Sequence, residues 1–316
     1  MRFGSGLALL SSAALLASGC SAFSEDGGSA SGGSGTSVVA AFYPLAWLTE
    51  RVAEGTGTEV ELLTTPGAEP HDLELDVQRT ALVSQADLVV YQAGFQPAVD
   101  DTVAQNAQGS SLDVAALAGL LPMDESAEEH GEHGEHGDED GHDHGDLDPH
   151  FWQDPVRVAT VADAVAGELA AIDEEHADEY AANAAALRED LEALDASYAA
   201  GLADCERDTI VVSHDAFGYL EKYGLHIASI VGLSPDAEPT AAVLGRLQDL
   251  IEEEGITTVF SEPLEPALGE SLAGDLGLTN GVLDPVEGLS DADSGEDYLS
   301  IMEANLAALQ TANGCR

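Results

Sequence analysis

The stretch 177–204, ADEYAANAAALREDLEALDASYAAGLAD, is the longest helical pattern in the chain. Tyr180, Leu187, Leu191, Leu194, Tyr198 and Leu202 recur there at steps of three, four and seven, which puts them on one face of a helix. At ~1.5 Å per residue the helix is roughly 40 Å long, enough to run down one side of two lobes. A single stiff connection of that length restricts hinge motion between the parts it joins.

Working outward, short β-branched runs alternate with helix-like segments on both sides of this stretch. Before it, residues 38–42 are followed by a helical pattern over 44–54, residues 60–63 by one over 76–86, and residues 88–91 by one reaching Gln105. After it come the apolar runs 209–213, 227–231, 257–261 and 281–283, with a helical pattern over 240–254 among them. Alternation of this kind predicts an α/β fold of two lobes, each a mostly parallel sheet flanked by helices, joined by one long rigid helix. A further helix is expected to start at Asp154-Pro155, where Asp suits the N-cap and Pro the first helical position. The expected organisation is a leader over 1–20, a Ser/Gly-rich tether over 21–36, an N-terminal lobe over 37–176 that contains an acidic, histidine-rich loop over 124–148, a linking helix over 177–204, and a C-terminal lobe over 205–316.

At 316 residues the chain is long enough for two cores, and its 44% hydrophobic content fits a globular protein. A formal net charge of -51 excludes nucleic acid, whose phosphates need Lys and Arg, and disfavours an anionic membrane surface. A cationic ligand fits the field. The carboxylates are spread over the whole chain, so solubility or adaptation to salt accounts for most of them.

Met1-Arg2, an apolar stretch over 7–16 and then Ala17-Ser18-Gly19-Cys20 read as a short export signal that ends in a site resembling a bacterial lipobox, with Cys20 as the lipidated residue. The alternatives are a signal cut elsewhere or an N-terminal membrane helix, although the run is far shorter than the ~20 residues a span needs. The Ser/Gly-rich stretch that follows suits a flexible tether. The chain is therefore expected to be exported and held by lipid at the outer face of the cytoplasmic membrane. If Cys20 carries lipid, Cys205 and Cys315 remain, and in an exported chain such a pair reads as a disulfide, with two free buried thiols as the alternative.

His71, His150 and His214 each sit beside Pro, Asp or Gly in a turn-like sequence. His71 lies between an expected strand and helix, His214 follows the strand that ends at Ser213, and Asp284 follows Val282-Leu283. His150 stands at the entrance to the helix that starts near Asp154. In open α/β sheets ligands bind beyond the carboxyl ends of the strands, so all four residues are candidates for one cleft. Imidazoles distant in sequence but gathered by a fold suit a transition metal. Singly, each histidine is more often structural, and His176 and His226 are read that way. Trp47, Trp152 and Tyr43 read as packing residues, with Trp152 beside His150 as a wall.

The segments Gly67-Ala68-Glu69-Pro70-His71-Asp72, Asp148-Pro149-His150-Phe151-Trp152-Gln153-Asp154-Pro155 and Ser213-His214-Asp215-Ala216-Phe217-Gly218-Tyr219 closely resemble the histidine motifs of the zinc-type solute-binding lipoproteins of metal ABC transporters. Phe42-Tyr43-Pro44-Leu45, Val259-Phe260-Ser261-Glu262-Pro263 and Leu283-Asp284-Pro285 are similar to further motifs of that family, and the resemblance runs from about Val38 to the C-terminus. It implies two α/β lobes joined by a rigid helix, with a metal at their interface held by His71 and His150 from the first lobe and His214 and Asp284 from the second. Water or Glu262 are the alternatives for the fourth position. It also implies Zn²⁺ as the transported ligand and the membrane permease of a metal ABC transporter as partner.

Three neutral imidazoles and one carboxylate suit zinc better than the harder manganese, whose receptors resemble this pattern but carry a carboxylate where His214 stands. Because imidazole must be unprotonated to bind, affinity is expected to fall as pH drops through the range near ~6.5 where free histidine titrates. His130, His133, His136, His142 and His144, interleaved with acids, are expected to form an auxiliary weak divalent-metal loop. A secreted zinc hydrolase is the rival class, but the chain has neither a His-Glu-x-x-His helix nor a Gly-x-Ser-x-Gly elbow, and no enzymatic activity is expected. A surface adhesin or zinc-storage lipoprotein is the other reading; a store would hold several ions of similar affinity where a carrier holds one.

Overall fold

Valine, isoleucine and leucine dominate the central strands because both faces of a helix-covered parallel sheet are buried. The computed structural model describes residues 35–123, 147–289 and 295–316, which form a single compact unit. The leader with Cys20, and the histidines His130, His133, His136, His142 and His144, fall outside the described residues.

The first half runs β1 (Ser37–Ala40), α1 (Tyr43–Val52), β2 (Glu59–Leu62), α2 (Val77–Gln85), β3 (Leu88–Tyr91), α3 (Pro97–Asn106), β4 (Ser110–Asp113) and α4 (Ala115–Ala118). A two-residue antiparallel pair, β5 (Leu121–Pro122) and β6 (Leu147–Asp148), precedes the long helices α5 (Pro155–Ile172) and α6 (Ala177–Gly201). The second half runs β7 (Thr209–Val212), β8 (His226–Ser229), α7 (Ala241–Glu254), β9 (Thr258–Ser261), α8 (Ala267–Leu276), β10 (Thr279–Val282) and α9 (Tyr298–Asn313).

Both four-stranded sheets are parallel, with orders β2-β1-β3-β4 and β10-β9-β7-β8. Listed from the other edge, the second sheet has its second, first, third and fourth strands in the same sequence as the first. Each half therefore reverses strand order between its first and third strands, which opens a crevice at their carboxyl ends. Those ends carry the loops that begin at Ala41 and Gln92 in one half and at Ser213 and Glu262 in the other.

The expected stripe on α6 is buried: Tyr180, Leu187, Leu191, Leu194 and Tyr198 all face the core. Its length is about 38 Å at ~1.5 Å per residue. The first half of the molecule grips its N-terminal part: Asn183 Nδ2 donates to the carbonyls of Val52 and Glu54, each at 2.9 Å, and Arg51 pairs with Asp190 at 2.9 Å. The second half grips its C-terminal part, where the Tyr198 hydroxyl donates to Met302 O and the Tyr223 hydroxyl to Asp195, each at 2.7 Å. The helix is thus a shared spine rather than a free linker.

Helix α5 starts where the Asp-Pro pair places it, with the Asp154 carboxylate accepting the N–H of Val156 at 3.0 Å. The same carboxylate accepts from Lys222 at 2.6 Å, and Lys222 also reaches Asp195 at 2.6 Å. The chain's only lysine thereby ties the start of α5, the second half and α6 together. One continuous core spans both halves, from Phe42 and Leu48 to Phe217 and Leu309, while a smaller one around Val211, Leu247, Ile251 and Val259 lies under α7. Cys205 and Cys315 are joined in a disulfide that closes a separation of 110 residues and fastens the end of the chain to the start of the second half.

Candidate metal centre

Four side chains converge at the crevice between the halves. His71 comes from the loop after β2, His150 from the turn after β6, His214 from the loop after β7, and Glu287 from the loop after β10. One ligand atom from each lies within 4.8 Å of all the others. Oxygens of Glu287 stand 3.4 Å from His71 Nε2, 3.1 Å from His150 Nε2 and 3.2 Å from His214 Nε2. Two ligands of a tetrahedral Zn²⁺ with bonds of ~2.1 Å are about 3.4 Å apart, so these separations match the edge of such a tetrahedron. His150, His214 and Glu287 are buried, and His71 keeps 13% of its side chain exposed.

The ring orientations are set from behind. His150 Nδ1 is 2.8 Å from Asp148 Oδ1, which also accepts the His150 N–H at 2.9 Å. His214 Nδ1 is 2.7 Å from Glu262 Oε1, which accepts the His214 N–H at 3.2 Å. A carboxylate at Nδ1 fixes the proton there and leaves the Nε2 lone pair aimed into the cluster, an arrangement typical of metal-bound histidines. His71 Nε2 and His150 Nε2 are buried with no hydrogen bond of acceptable geometry among the described residues. Buried nitrogens are rarely left so, and a cation shared by the cluster satisfies them.

Carboxylates on both sides of His150 and His214 also set the protonation of those two rings. Burial alone would lower the pKa of His150 and His214, but the carboxylates of Asp148 and Glu262 at their respective Nδ1 atoms, with the Glu287 carboxylate close to both rings, outweigh it and raise them to about 9 and about 10. Burial would raise Glu287, but its contacts with His150, His214 and His71 hold it well below the usual carboxylate range. A metal that binds at neutral pH therefore displaces protons from His150 and His214. This moves the expected pH window for binding upward from the range of free histidine.

The fourth position departs from the sequence reading. Asp284 lies outside the group of four, and Glu287 takes its place. The Asp284 carboxylate instead accepts the Val286 N–H at 2.7 Å, while its backbone N–H donates to Asn305 at 2.9 Å. Burial, followed by repulsion from Glu287 and Glu262, raises its pKa to about 6. Glu262, the other residue considered, stands behind His214. Pro285 O accepts from Trp152 Nε1 at 2.8 Å and from Gln153 Nε2 at 2.5 Å, so the first half of the molecule holds the turn that presents Glu287. Within that turn Val286 has φ 61°, a left-handed conformation rare for a β-branched residue and costing about 1–3 kcal/mol. That backbone reversal aims Glu287 at the imidazoles. The one sequence signal for Glu287 was a carboxylate two residues beyond the Leu-Asp-Pro motif.

The loop of His71 is tied to the same turn, since Gly67 N donates to Leu289 O at 2.8 Å, and Glu69 accepts the His71 N–H at 2.9 Å. Trp152 is fully buried with its ring 5.2 Å from that of His150, the walling position expected for it. His226 lies exposed at the start of β8, and His176 pairs with Asp173 at 2.7 Å on the surface; neither joins the cluster.

Comparison with known proteins places the chain among binding components of transport systems. Residues 38–312 match the family described as ZnuA, zinc-uptake complex component A, periplasmic. Over 281 residues the chain is 36% identical to the zinc-binding lipoprotein AdcA of Streptococcus pneumoniae serotype 4, covering 86% of this chain but 55% of that one. The high-affinity zinc uptake system protein ZnuA of Bacillus subtilis is 34% identical over 311 residues, covering 97% of this chain and 96% of that one. Among solved structures, the Zn(II)-bound ZnuA-like domain of Streptococcus pneumoniae AdcA superposes with a TM-score of 0.71 at 31% identity, covering 88% of this chain and 99% of the domain.

Proposed function

The chain belongs to the family of zinc-uptake complex component A proteins, and on that premise we propose that it captures Zn²⁺ between its two halves and delivers it to the membrane permease of an ABC transporter. The ion is cargo, and no bond of a substrate is made or broken. His71, His150, His214 and Glu287 are its ligands in this reading, with Asp148 and Glu262 orienting two of the rings.

The observation that carries the proposal is the convergence of three imidazole nitrogens and one carboxylate oxygen within 4.8 Å, with the Nε2 atoms of His71 and His150 buried beside Glu287 but without a well-formed hydrogen bond among the described residues. Three neutral nitrogens and one oxygen favour zinc over manganese, which prefers a larger share of oxygen donors. Relatives described as lipoproteins or as parts of an uptake system support anchoring through Cys20 and partnership with a permease. A titration of metal-free protein with Zn²⁺ tests the reading. One tight site per chain is expected, lost by orders of magnitude in His214→Ala while the fold persists. Several sites of similar affinity point instead to storage, and unchanged affinity in the variant removes His214 from the ligands.

A further inference from the structure

The cluster is closed on most sides. The side chains of His150 and His214 are fully buried and that of Glu287 is 2% exposed, so among the described residues His71, at 13%, is the most open of the four and marks the side from which an ion can approach. On that side lies a partly open cavity of about 400 Å³. His71, Gln92, Phe95, Asp100 and Pro149 wall it from the first half, and Leu233 closes it from the second.

Gln92 is the unusual member of this lining. It is 2% exposed, and its Nε2 donates to Pro149 O at 3.0 Å. That bond fixes which end of the amide is nitrogen, since a carbonyl cannot accept from an oxygen. The other end, Oε1, is buried and has no hydrogen-bond partner among the described residues. A buried carbonyl oxygen left unpaired is unfavourable, and a proton donor or cation in the cavity would relieve it.

We propose that this cavity is a staging site for the hydrated divalent cation, in which Gln92 Oε1 accepts a proton donor from a metal-bound water, or ligates the ion itself, while His71 exchanges on and off. The inference rests on the metal-capture reading of the cluster and adds a second, transient position to it. Water bound to a dication is a strong hydrogen-bond donor, and a neutral carbonyl oxygen is a matched acceptor for it. As a neutral oxygen, Gln92 Oε1 binds strongly enough to admit the ion and weakly enough to let it pass, a balance that conducting pores also need. The inner cluster supplies the equilibrium affinity. Gln92 lowers the barrier between that cluster and solvent, so it acts equally on capture and release.

The test is stopped-flow kinetics of Zn²⁺ association, and of release into a chromophoric chelator, on the full chain and on Gln92→Met and Gln92→Glu. For Gln92→Met both rates are expected to fall about tenfold, with the equilibrium constant within about twofold of the parent. Gln92→Glu keeps an oxygen but loses the bond to Pro149, and is expected to associate at least as fast as the parent. If Gln92 merely braces the turn that carries His150, both variants lose the Pro149 bond, release speeds up and association is unchanged in each; that pattern overturns the proposal. Parental rates in Gln92→Met also overturn it. Failure of the parent chain to bind Zn²⁺ tightly is a separate result, which defeats the metal-capture reading itself.

Discussion

Glu287→Gln isolates the charge at the centre of the cluster while preserving the shape of the side chain. In the parent this carboxylate is buried and touches all three imidazole nitrogens at 3.1–3.4 Å. Removing one partner from a buried ionic site costs about 3–5 kcal/mol, which corresponds to an affinity loss between about 10² and several times 10³. A second effect opposes the first. The same carboxylate helps raise His150 to about 9 and His214 to about 10, so in the parent a metal displaces up to two protons at neutral pH. The variant lowers the pKa of both rings, and below those pKa values each unit of that fall returns about a tenfold gain in apparent affinity. Near pH 7 the net loss is therefore expected to be about 10–10²-fold, widening toward the full loss as pH approaches 9. Competition against a chelator of known affinity, run from pH 6 to pH 9, measures both the loss and its slope. Parental affinity and slope in Glu287→Gln, with a large loss in Asp284→Asn, would refute the reasoning and return the fourth position to Asp284.

Other consequences are open to simpler experiments. The raised His150 and His214 contribute stability to the metal-free protein that is complete below ~6.5 and lost as pH rises through about 9 and about 10. The depressed Glu287 contributes stability present above its unfolded value and lost as pH falls toward its folded one. Melting temperature without metal is expected to decline from pH 7 to pH 10, and stabilisation by excess Zn²⁺ to grow between pH 5 and pH 8; a metal-free protein that gains stability above pH 8 contradicts the protonated cluster. Replacing Cys205 and Cys315 by Ser is expected to lower stability by about 2–5 kcal/mol in denaturant melts, because the bridge closes a long loop. With 60 acidic residues against nine basic ones, melting temperature is expected to rise as NaCl goes from 0.05 to 1 M, where the screening length shrinks to ~3 Å. A fall over that range would show that the charge is already neutralised in the fold.

Much of the architecture was legible because burial wrote it into single segments. Leu88–Tyr91 and Thr209–Val212 are almost wholly apolar since both faces of a central strand are covered, and the α6 stripe survives intact from Tyr180 to Tyr198. Edge elements were harder. β4 reads Ser-Ser-Leu-Asp, and β10 begins at Thr279 rather than Gly281, because strands paired on one side only need fewer apolar residues. Helix α9, from Tyr298 to Asn313, went unread although it completes the second half. His71, His150 and His214 stood out through their turn sequences. Glu287 did not, since its direction depends on a left-handed Val286, and on a Pro285 carbonyl held by Trp152 and Gln153 from more than a hundred residues away. Neither feature leaves a local signal.

Crystals grown with Zn²⁺ and measured at two energies across the zinc absorption edge test the central claim most directly. One anomalous peak is expected between the halves, ~2.0–2.1 Å from Nε2 of His71, His150 and His214 and ~2.0–2.2 Å from a Glu287 oxygen. A peak ligated by Asp284 in place of Glu287, or no peak among the three imidazoles, would contradict the account.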